Sequence, residues 1–140
     1  HGSVALSLIA LLLLAGCGET ASDSIEQQLE ARGLVELQAA VPKDWERVCI
    51  LGPYSNDEAA MKTLGFNWPV EKHSSISYND GIALLIFVRD RKVVNALEHP
   101  RRSGDFSDLS GRCFTRDKAQ FVQQVLPDDG WLRLVPKDSA

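Results

Sequence analysis

The segment 82–88, IALLIFV, constrains the fold more than any other part of the sequence, because it is apolar at every position. A strand with one face in water alternates apolar and polar residues, whereas an unbroken apolar run of this length indicates a strand covered on both faces. The polar segment 89–92 follows, and residues 93–97 then predict a hairpin partner. We therefore expect a central strand with structure packed on each side.

The rest of the pattern predicts three helices and three more strands. The helices are expected at 25–40, where Ser24 and Gln27 can form a capping box and Gly33 could break the helix, at 55–64 before Gly65, and at 115–125 before Pro127. The further strands are expected at 45–51, 112–114 and 131–135, with loops at 66–80 and 100–111. This order predicts an α+β domain: a mainly antiparallel sheet of about four to five strands with two to three short helices packed on it.

The N-terminal segment has the pattern of a targeting signal. Residues 4–14 are apolar but fall short of the roughly 20 residues that a membrane-spanning helix needs. The motif Leu14-Ala15-Gly16-Cys17 that follows resembles the lipobox of bacterial lipoproteins. This resemblance implies that residues 1–16 are a signal peptide removed before Cys17, and that Cys17 receives lipid and anchors the chain in a membrane.

The segments after the lipobox define the expected domain organisation. Residues 17–24 are predicted to be the lipidated cysteine and a flexible tether, and residues 25–140 a single globular domain. Gly18 follows the lipidated position, which in lipoproteins favours the outer membrane facing the periplasm over inner-membrane retention. The alternative interpretation of the N-terminal segment is a short buried helix with an ordinary core cysteine.

The net charge argues against one class of partner, and the cysteine content predicts a disulfide. The net charge of -4 gives no basic face to neutralise phosphates, so we expect no nucleic-acid partner. Cys49 and Cys113 remain after lipidation of Cys17, and an exported protein meets an oxidising compartment. A disulfide between Cys49 and Cys113 is therefore predicted, with two unpaired core thiols as the alternative.

The search for a site favours binding over catalysis. His73 and His99 lie in predicted loops, and other residues of catalytic type are Ser74, Ser75 and Glu98. No spacing or motif joins these residues into a catalytic site. No metal or cofactor site is predicted. The stronger candidate is an arginine-rich segment with an aromatic, typical of a contact surface. The predicted binding residues are Arg101, Arg102, Phe106, Arg112 and Arg116. Alternatively, these arginines pair with Asp105 and Asp108 and only order the loop.

Together these features predict a membrane-anchored bacterial envelope lipoprotein that is not an enzyme. We expect it to bind another envelope protein, as an accessory or as an inhibitor or immunity factor; a small cell-wall-directed enzyme and a small-molecule carrier are the alternatives. The segments WERVCILGPYS and IALLIFVRDRKVV resemble small bacterial extracytoplasmic proteins, a resemblance that implies no activity. In the first segment, Tyr54 follows Gly52 and Pro53 and is expected to pack its ring while its hydroxyl stays in water.

Overall fold

The computed structural model describes residues 20–139. The predicted signal peptide, the lipidated Cys17 and the first residues of the predicted tether lie outside these residues. Within the described part, three α-helices and seven strands follow one another as α1 (Ala21–Arg32), β1 (Leu34–Glu36), α2 (Leu37–Ala40), β2 (Arg47–Leu51), α3 (Asp57–Leu64), β3 (Ile82–Arg89), β4 (Lys92–Pro100), β5 (Cys113–Thr115), β6 (Gln120–Val125) and β7 (Leu132–Pro136). No helix in residues 20–139 has both the length and the apolar character needed to cross a membrane.

The first sheet has the strand order β4-β3-β2-β5, and all its strand pairs are antiparallel. The predicted central strand is confirmed, because β3 lies between β2 and β4. Its side chains alternate between two buried layers: Leu85 and Phe87 belong to one core cluster, and Leu84 and Ile86 to another. The apolar run in 82–88 therefore exists because this strand has no face in water.

The second sheet has the order β1-β6-β7 and covers one face of the first. The α+β class and the antiparallel pairing are confirmed, but the strands form two sheets of three and four and not one sheet of four to five. Helix α1 packs against the same core through Ile25 and Leu29. Helix α3 and the loop after it cover the opposite face of the first sheet through Leu64, Val70 and Ile76.

The predicted helix at 115–125 is wrong. Residues 116–118 form one 3-10 turn, and residues 120–125 form β6 between β1 and β7. The buried side chain of Phe121 positions this strand in the core. Its ring packs edge-on against Phe106 and Phe114 at centroid distances of 5.3 and 5.0 Å. The two flanking strands satisfy the backbone, so tertiary pairing overrides the local pattern.

The predicted helix at 25–40 is wrong at both ends. The helix begins at Ala21, because Thr20 accepts from the Asp23 amide while Asp23 caps the Thr20 amide; Ser24 and Gln27 do not form the cap. The predicted tether therefore becomes helical at Ala21. Gly33, at φ +66°, ends α1 in a left-handed conformation, and β1 and the single turn α2 follow.

Two local predictions are confirmed. Cys49 and Cys113 face each other across β2 and β5 and form a disulfide with an S–S distance of 2.05 Å. Gly65 ends α3 in a left-handed conformation, as predicted, while the N-terminal cap of that helix is Asn56 and not Ser55. The disulfide ties β5, and with it the C-terminal part of the chain, to the interior of the first sheet.

Candidate functional site

Two tyrosines are the most exposed aromatic residues at one end of the first sheet. The exposed fractions are 64% for Tyr54 and 76% for Tyr78. Tyr54 lies just after β2, and Tyr78 lies in the loop that leads into β3. Tyr54 spans this loop: its amide donates to the carbonyl of Ile76 at 2.8 Å, and its hydroxyl donates to the Asp80 carboxylate at 3.3 Å. We call the exposed area formed by Tyr54, Tyr78, Asp80 and Glu98 the tyrosine surface.

The backbone of Tyr54 is held in an unfavourable conformation. Its φ of +69° lies in the left-handed region, which costs a non-glycine residue roughly 1–2 kcal/mol. The hydrogen bond to Ile76 and the one from the Ser55 hydroxyl to the Gly52 carbonyl, 2.7 Å long, hold the turn in place. The expected packing of the Tyr54 ring is wrong, since the ring is directed outward. Strained residues of this kind are concentrated at functional sites.

Glu98 is fixed on the tyrosine surface by a serine turn. One carboxylate oxygen accepts from the Ser74 hydroxyl at 2.7 Å, the Ser75 amide at 2.8 Å and the Ser75 hydroxyl at 2.9 Å. Partial burial alone would raise the pKa of Glu98, but these hydrogen bonds outweigh it and place the pKa below its ordinary value. Glu98 is therefore ionised at neutral pH.

Arg101 connects the tyrosine surface to the core. Its Nη1 donates to the carbonyl of Asp80 at 2.8 Å, and its Nε and Nη2 lie 3.1 Å from the Asp105 carboxylate. Asp105 is only 3% exposed and also accepts from the Trp131 indole at 2.7 Å and from the Ser107 amide at 2.9 Å. Burial would raise the pKa of Asp105, but its hydrogen-bond donors together hold the pKa below its ordinary value.

The predicted arginine-rich contact surface is not assembled as expected. Phe106, its predicted exposed aromatic, is fully buried and packs against Phe121. Arg101 is engaged with Asp105, as in the alternative interpretation, and Arg102 is exposed. Asp108 pairs with Arg133, which was not among the predicted residues.

The other two predicted arginines lie on aromatic rings. The guanidinium of Arg112 is 5.0 Å from the centre of the Phe114 ring. That of Arg116 is 4.7 Å from the Trp45 ring, and Arg116 also donates to the carbonyl of Lys43 at 2.6 Å. Both side chains therefore cover core aromatics around the first sheet and do not extend the neighbourhood of Arg101.

The candidate catalytic residues are on different sides of β4. His99 is fully buried, with Nδ1 3.0 Å from the Ser22 hydroxyl and Nε2 3.2 Å from the Ser103 carbonyl. Since that carbonyl can only accept, the neutral ring carries its proton on Nε2. Burial is the largest influence on the pKa of His99 and places it below its ordinary value. Glu98, the neighbour of His99, faces the serine turn, because successive side chains of a strand alternate.

His73 and an open cleft beside α1 are two further places at which a site was considered. His73 is stacked on Trp68 at a centroid distance of 4.6 Å. An open cleft of about 610 Å³ lies beside α1, and Glu26, Glu30 and Arg102 are among the residues that line it. No group of three or more His, Cys, Asp or Glu side chains in residues 20–139 is placed to hold a metal ion.

The tyrosine surface was missed by the sequence prediction. Its signal was local: both tyrosines stand in segments rich in turn residues, GPYSND and SYNDG, where a large ring has little chain around it to pack against. Comparisons of the chain with protein-family models, curated proteins and solved structures find no match. Function is therefore inferred from the tyrosine surface and its surroundings.

Proposed function

We propose that this protein is a bacterial envelope lipoprotein whose domain binds another envelope protein. Lipid on Cys17 would anchor the chain, with the outer membrane facing the periplasm as the proposed location. The domain would act without catalysis, as an assembly accessory or as an inhibitor or immunity factor. The observation that carries the binding proposal is the pair of exposed tyrosines at one end of the first sheet, of which Tyr54 is held by hydrogen bonds.

Tyrosine is one of the residues that contribute most to protein interfaces, because its ring offers a large contact area and its hydroxyl a hydrogen bond. A ring that is already fixed loses little conformational entropy when a partner binds. The hydrogen bonds of Tyr54 to Ile76 and Asp80, and the bond from Arg101 to Asp80, supply this order. The structure thus favours binding through the tyrosine surface over binding through the predicted arginine-rich segment.

The placement of the histidines supports the non-enzymatic part of the proposal. A serine hydrolase needs its base within hydrogen-bond reach of its nucleophile. Ser74 and Ser75 bond to Glu98 on one side of β4, whereas the ring of His99 is buried on the other with both nitrogens already engaged. Within residues 20–139 the serine that does bond to His99 is Ser22, and the imidazole it bonds to is fully buried and not open to a substrate.

The anchor is tested with the full-length chain and its Cys17→Ala variant in a bacterium that processes lipoproteins. Lipid labelling and membrane fractionation after a high-salt wash are the measurements. The wild type is expected to incorporate labelled fatty acid and to sediment with membranes, and the variant to do neither. A variant that remains with washed membranes would contradict the lipoprotein proposal.

The binding surface is tested by placing a photo-crosslinking amino acid at position 78. The matched control carries the same amino acid at Val125, which is 56% exposed on β6 in the second sheet. A single envelope protein crosslinked from position 78 and not from position 125, and lost when Tyr54 is also replaced by Ser, is the expected result. Equal crosslinking from the two positions would contradict a role for the tyrosine surface.

A further inference from the structure

We propose that the tyrosine surface binds a Lys- and Arg-rich segment of a polypeptide. This inference rests on the proposed function, since it specifies the chemistry of the partner at the same surface. The inference follows from the carboxylates near the two exposed rings and from the absence of salt bridges to these carboxylates within residues 20–139.

Carboxylates predominate in the three chain segments that meet around the tyrosines. Segments 53–58, 71–80 and 98–101 together contain five Asp and Glu but only two Lys and Arg. One of the two cations, Arg101, is already neutralised by the buried Asp105 carboxylate. The field at this end of the first sheet is therefore negative, which attracts cationic partners and repels anionic ones.

Four of the five carboxylates are ordered by hydrogen bonds and not by cations. Asp57 and Glu71 each accept the backbone amide of the other, at 2.9 and 3.0 Å. Asp80 accepts from the Tyr54 hydroxyl, and Glu98 from the serine turn. No salt bridge within residues 20–139 involves any of these four side chains or Glu58. The charges of the four hydrogen-bonded carboxylates are thus fixed in position and available to a partner.

The exposed rings add the second part of the recognition. The face of a tyrosine attracts a guanidinium or ammonium group through its quadrupole, and the aliphatic stem of Arg or Lys packs on the same face. Tyr78 lies in the chain between Ile76 and Asp80, the two residues to which Tyr54 bonds, so the two tyrosines belong to the same end of the first sheet. An extended segment with several Lys or Arg residues can place a cation on a ring and on a carboxylate at once.

This chemistry separates the proposed partner from the other classes that an envelope offers. Anionic glycans and lipid headgroups would meet like charges at Asp80 and Glu98. A neutral glycan could stack on a tyrosine ring but would not depend on the carboxylates. The decisive readout is therefore the dependence of binding on charge at Asp80.

The test uses the full-length chain in zwitterionic detergent micelles and a fluorescent decaarginine peptide as probe, with decaglutamate and a neutral chitin oligosaccharide as comparison ligands. Anisotropy titrations at about 0.01 M and about 0.15 M salt measure the affinity. Tyr78→Ser removes an exposed ring, and Asp80→Asn removes one charge while keeping an oxygen that can accept from Tyr54. The control Asp90→Asn removes the same charge from the β3–β4 turn, at the opposite end of the first sheet.

Decaarginine is expected to bind, with weaker binding at the higher salt concentration. Asp80→Asn should weaken it about two- to fivefold and Tyr78→Ser about tenfold, while Asp90→Asn changes it less than about twofold. Equal effects of Asp80→Asn and Asp90→Asn would overturn the inference, since the peptide would then respond only to net charge. Binding of the oligosaccharide that depends on Tyr78 and not on Asp80 would also overturn it, in favour of a glycan.

The two proposals fail in distinguishable ways. In one outcome, crosslinking to an envelope protein depends on Tyr54 and Tyr78, but the affinity for that protein is unaffected by Asp80→Asn and by salt. The protein-binding function then stands, and the inference of a cationic partner is wrong. If no protein is crosslinked from position 78, the proposed function falls and the inference that rests on it falls too. Neither Tyr78→Ser nor Asp80→Asn removes a core side chain, so both variants are expected to keep the fold. Circular dichroism melts of each variant check this.

Discussion

Removing the Asp105 carboxylate is expected to destabilise the protein more than any exposed charge change. Asp105 is nearly inaccessible to water and satisfies the side chains of Arg101 and Trp131 as well as the Ser107 amide. Its backbone also bonds to β7, where its amide donates to Leu132 and its carbonyl accepts from Leu134. Asp105→Ala therefore leaves several donors without an acceptor at the junction of the two sheets.

The magnitude follows from the burial of the pair. Breaking a buried ion pair by removing one partner costs about 3–5 kcal/mol, and the lower end applies here because the Arg101 side chain is 30% exposed and can regain some water. Asp105→Asn keeps the shape and one acceptor oxygen, so about 1–3 kcal/mol is expected. For a domain of this size, a loss of 3 kcal/mol corresponds to a decrease in Tm of about 12 °C.

Urea denaturation followed by tryptophan fluorescence, together with thermal melts, measures these losses. Asp138→Ala is the matched control, since it removes a carboxylate that pairs with Lys118 in water and should cost about 0–1 kcal/mol. A loss below about 1 kcal/mol for Asp105→Ala, or one equal to that of the control, would refute the reasoning.

The pH dependence provides a second readout of the same carboxyl. The pKa of Asp105 is depressed in the folded state, so its stabilisation is present above the unfolded pKa of about 3.9 and is lost as the pH falls through the folded pKa. The difference in stability between the wild type and Asp105→Asn should therefore be constant near neutrality and decrease in acid. A difference that does not change with pH would mean that the charge of Asp105 contributes nothing.

Three further predictions concern the disulfide, a buried histidine and a glycine. Cys113→Ala should lower the free energy of unfolding of the oxidised protein by up to roughly 4 kcal/mol, because the bridge closes a loop with a sequence separation of 64; similar losses with and without reductant would indicate packing alone. Burial depresses the folded pKa of His99, so wild-type stability should fall as the pH decreases below about 6.5, and His99→Gln should remove this slope in urea titrations; parallel slopes would contradict it. Gly104→Ala should lower the Tm more than Gly111→Ala, because both have positive φ but only at Gly104 would a Cβ lie 2.8 Å from the Leu29 side chain; equal losses would show that no clash occurs.

The predictions that succeeded depended on short-range pattern. The run in 82–88 identified a doubly covered strand because its periodicity differs from that of a one-sided strand, and Gly65 identified a helix end because it can adopt positive φ. The pairing of Cys49 with Cys113 followed from their number and the expected oxidising compartment. Each of these inferences needed only a few neighbouring residues or a count.

The predictions that failed depended on distant partners. Residues 120–125 could form a helix or a strand by local preference, and the flanking β1 and β7 decided for a strand. Phe106 was expected at the surface because its neighbours are polar, yet Phe121 and His99 pack against it in the core. The loss of Arg101 from the predicted contact surface has a local cause, since the Asp105 carboxylate that engages it lies only four residues away.

The sequence alone determined the α+β class, the central position of β3, its hairpin with β4 and the pairing of Cys49 with Cys113. These follow from the hydropathy period, the turn residues and the number of cysteines, which are local or countable properties. The tertiary structure decided the second sheet and the burial of His99 and Phe106. These depend on which side chains meet across long sequence separations, and a packed core admits only the arrangement in which buried polar groups find partners. That requirement is met at the buried Asp105 carboxylate by the indole of Trp131, which lies 26 residues away in the sequence.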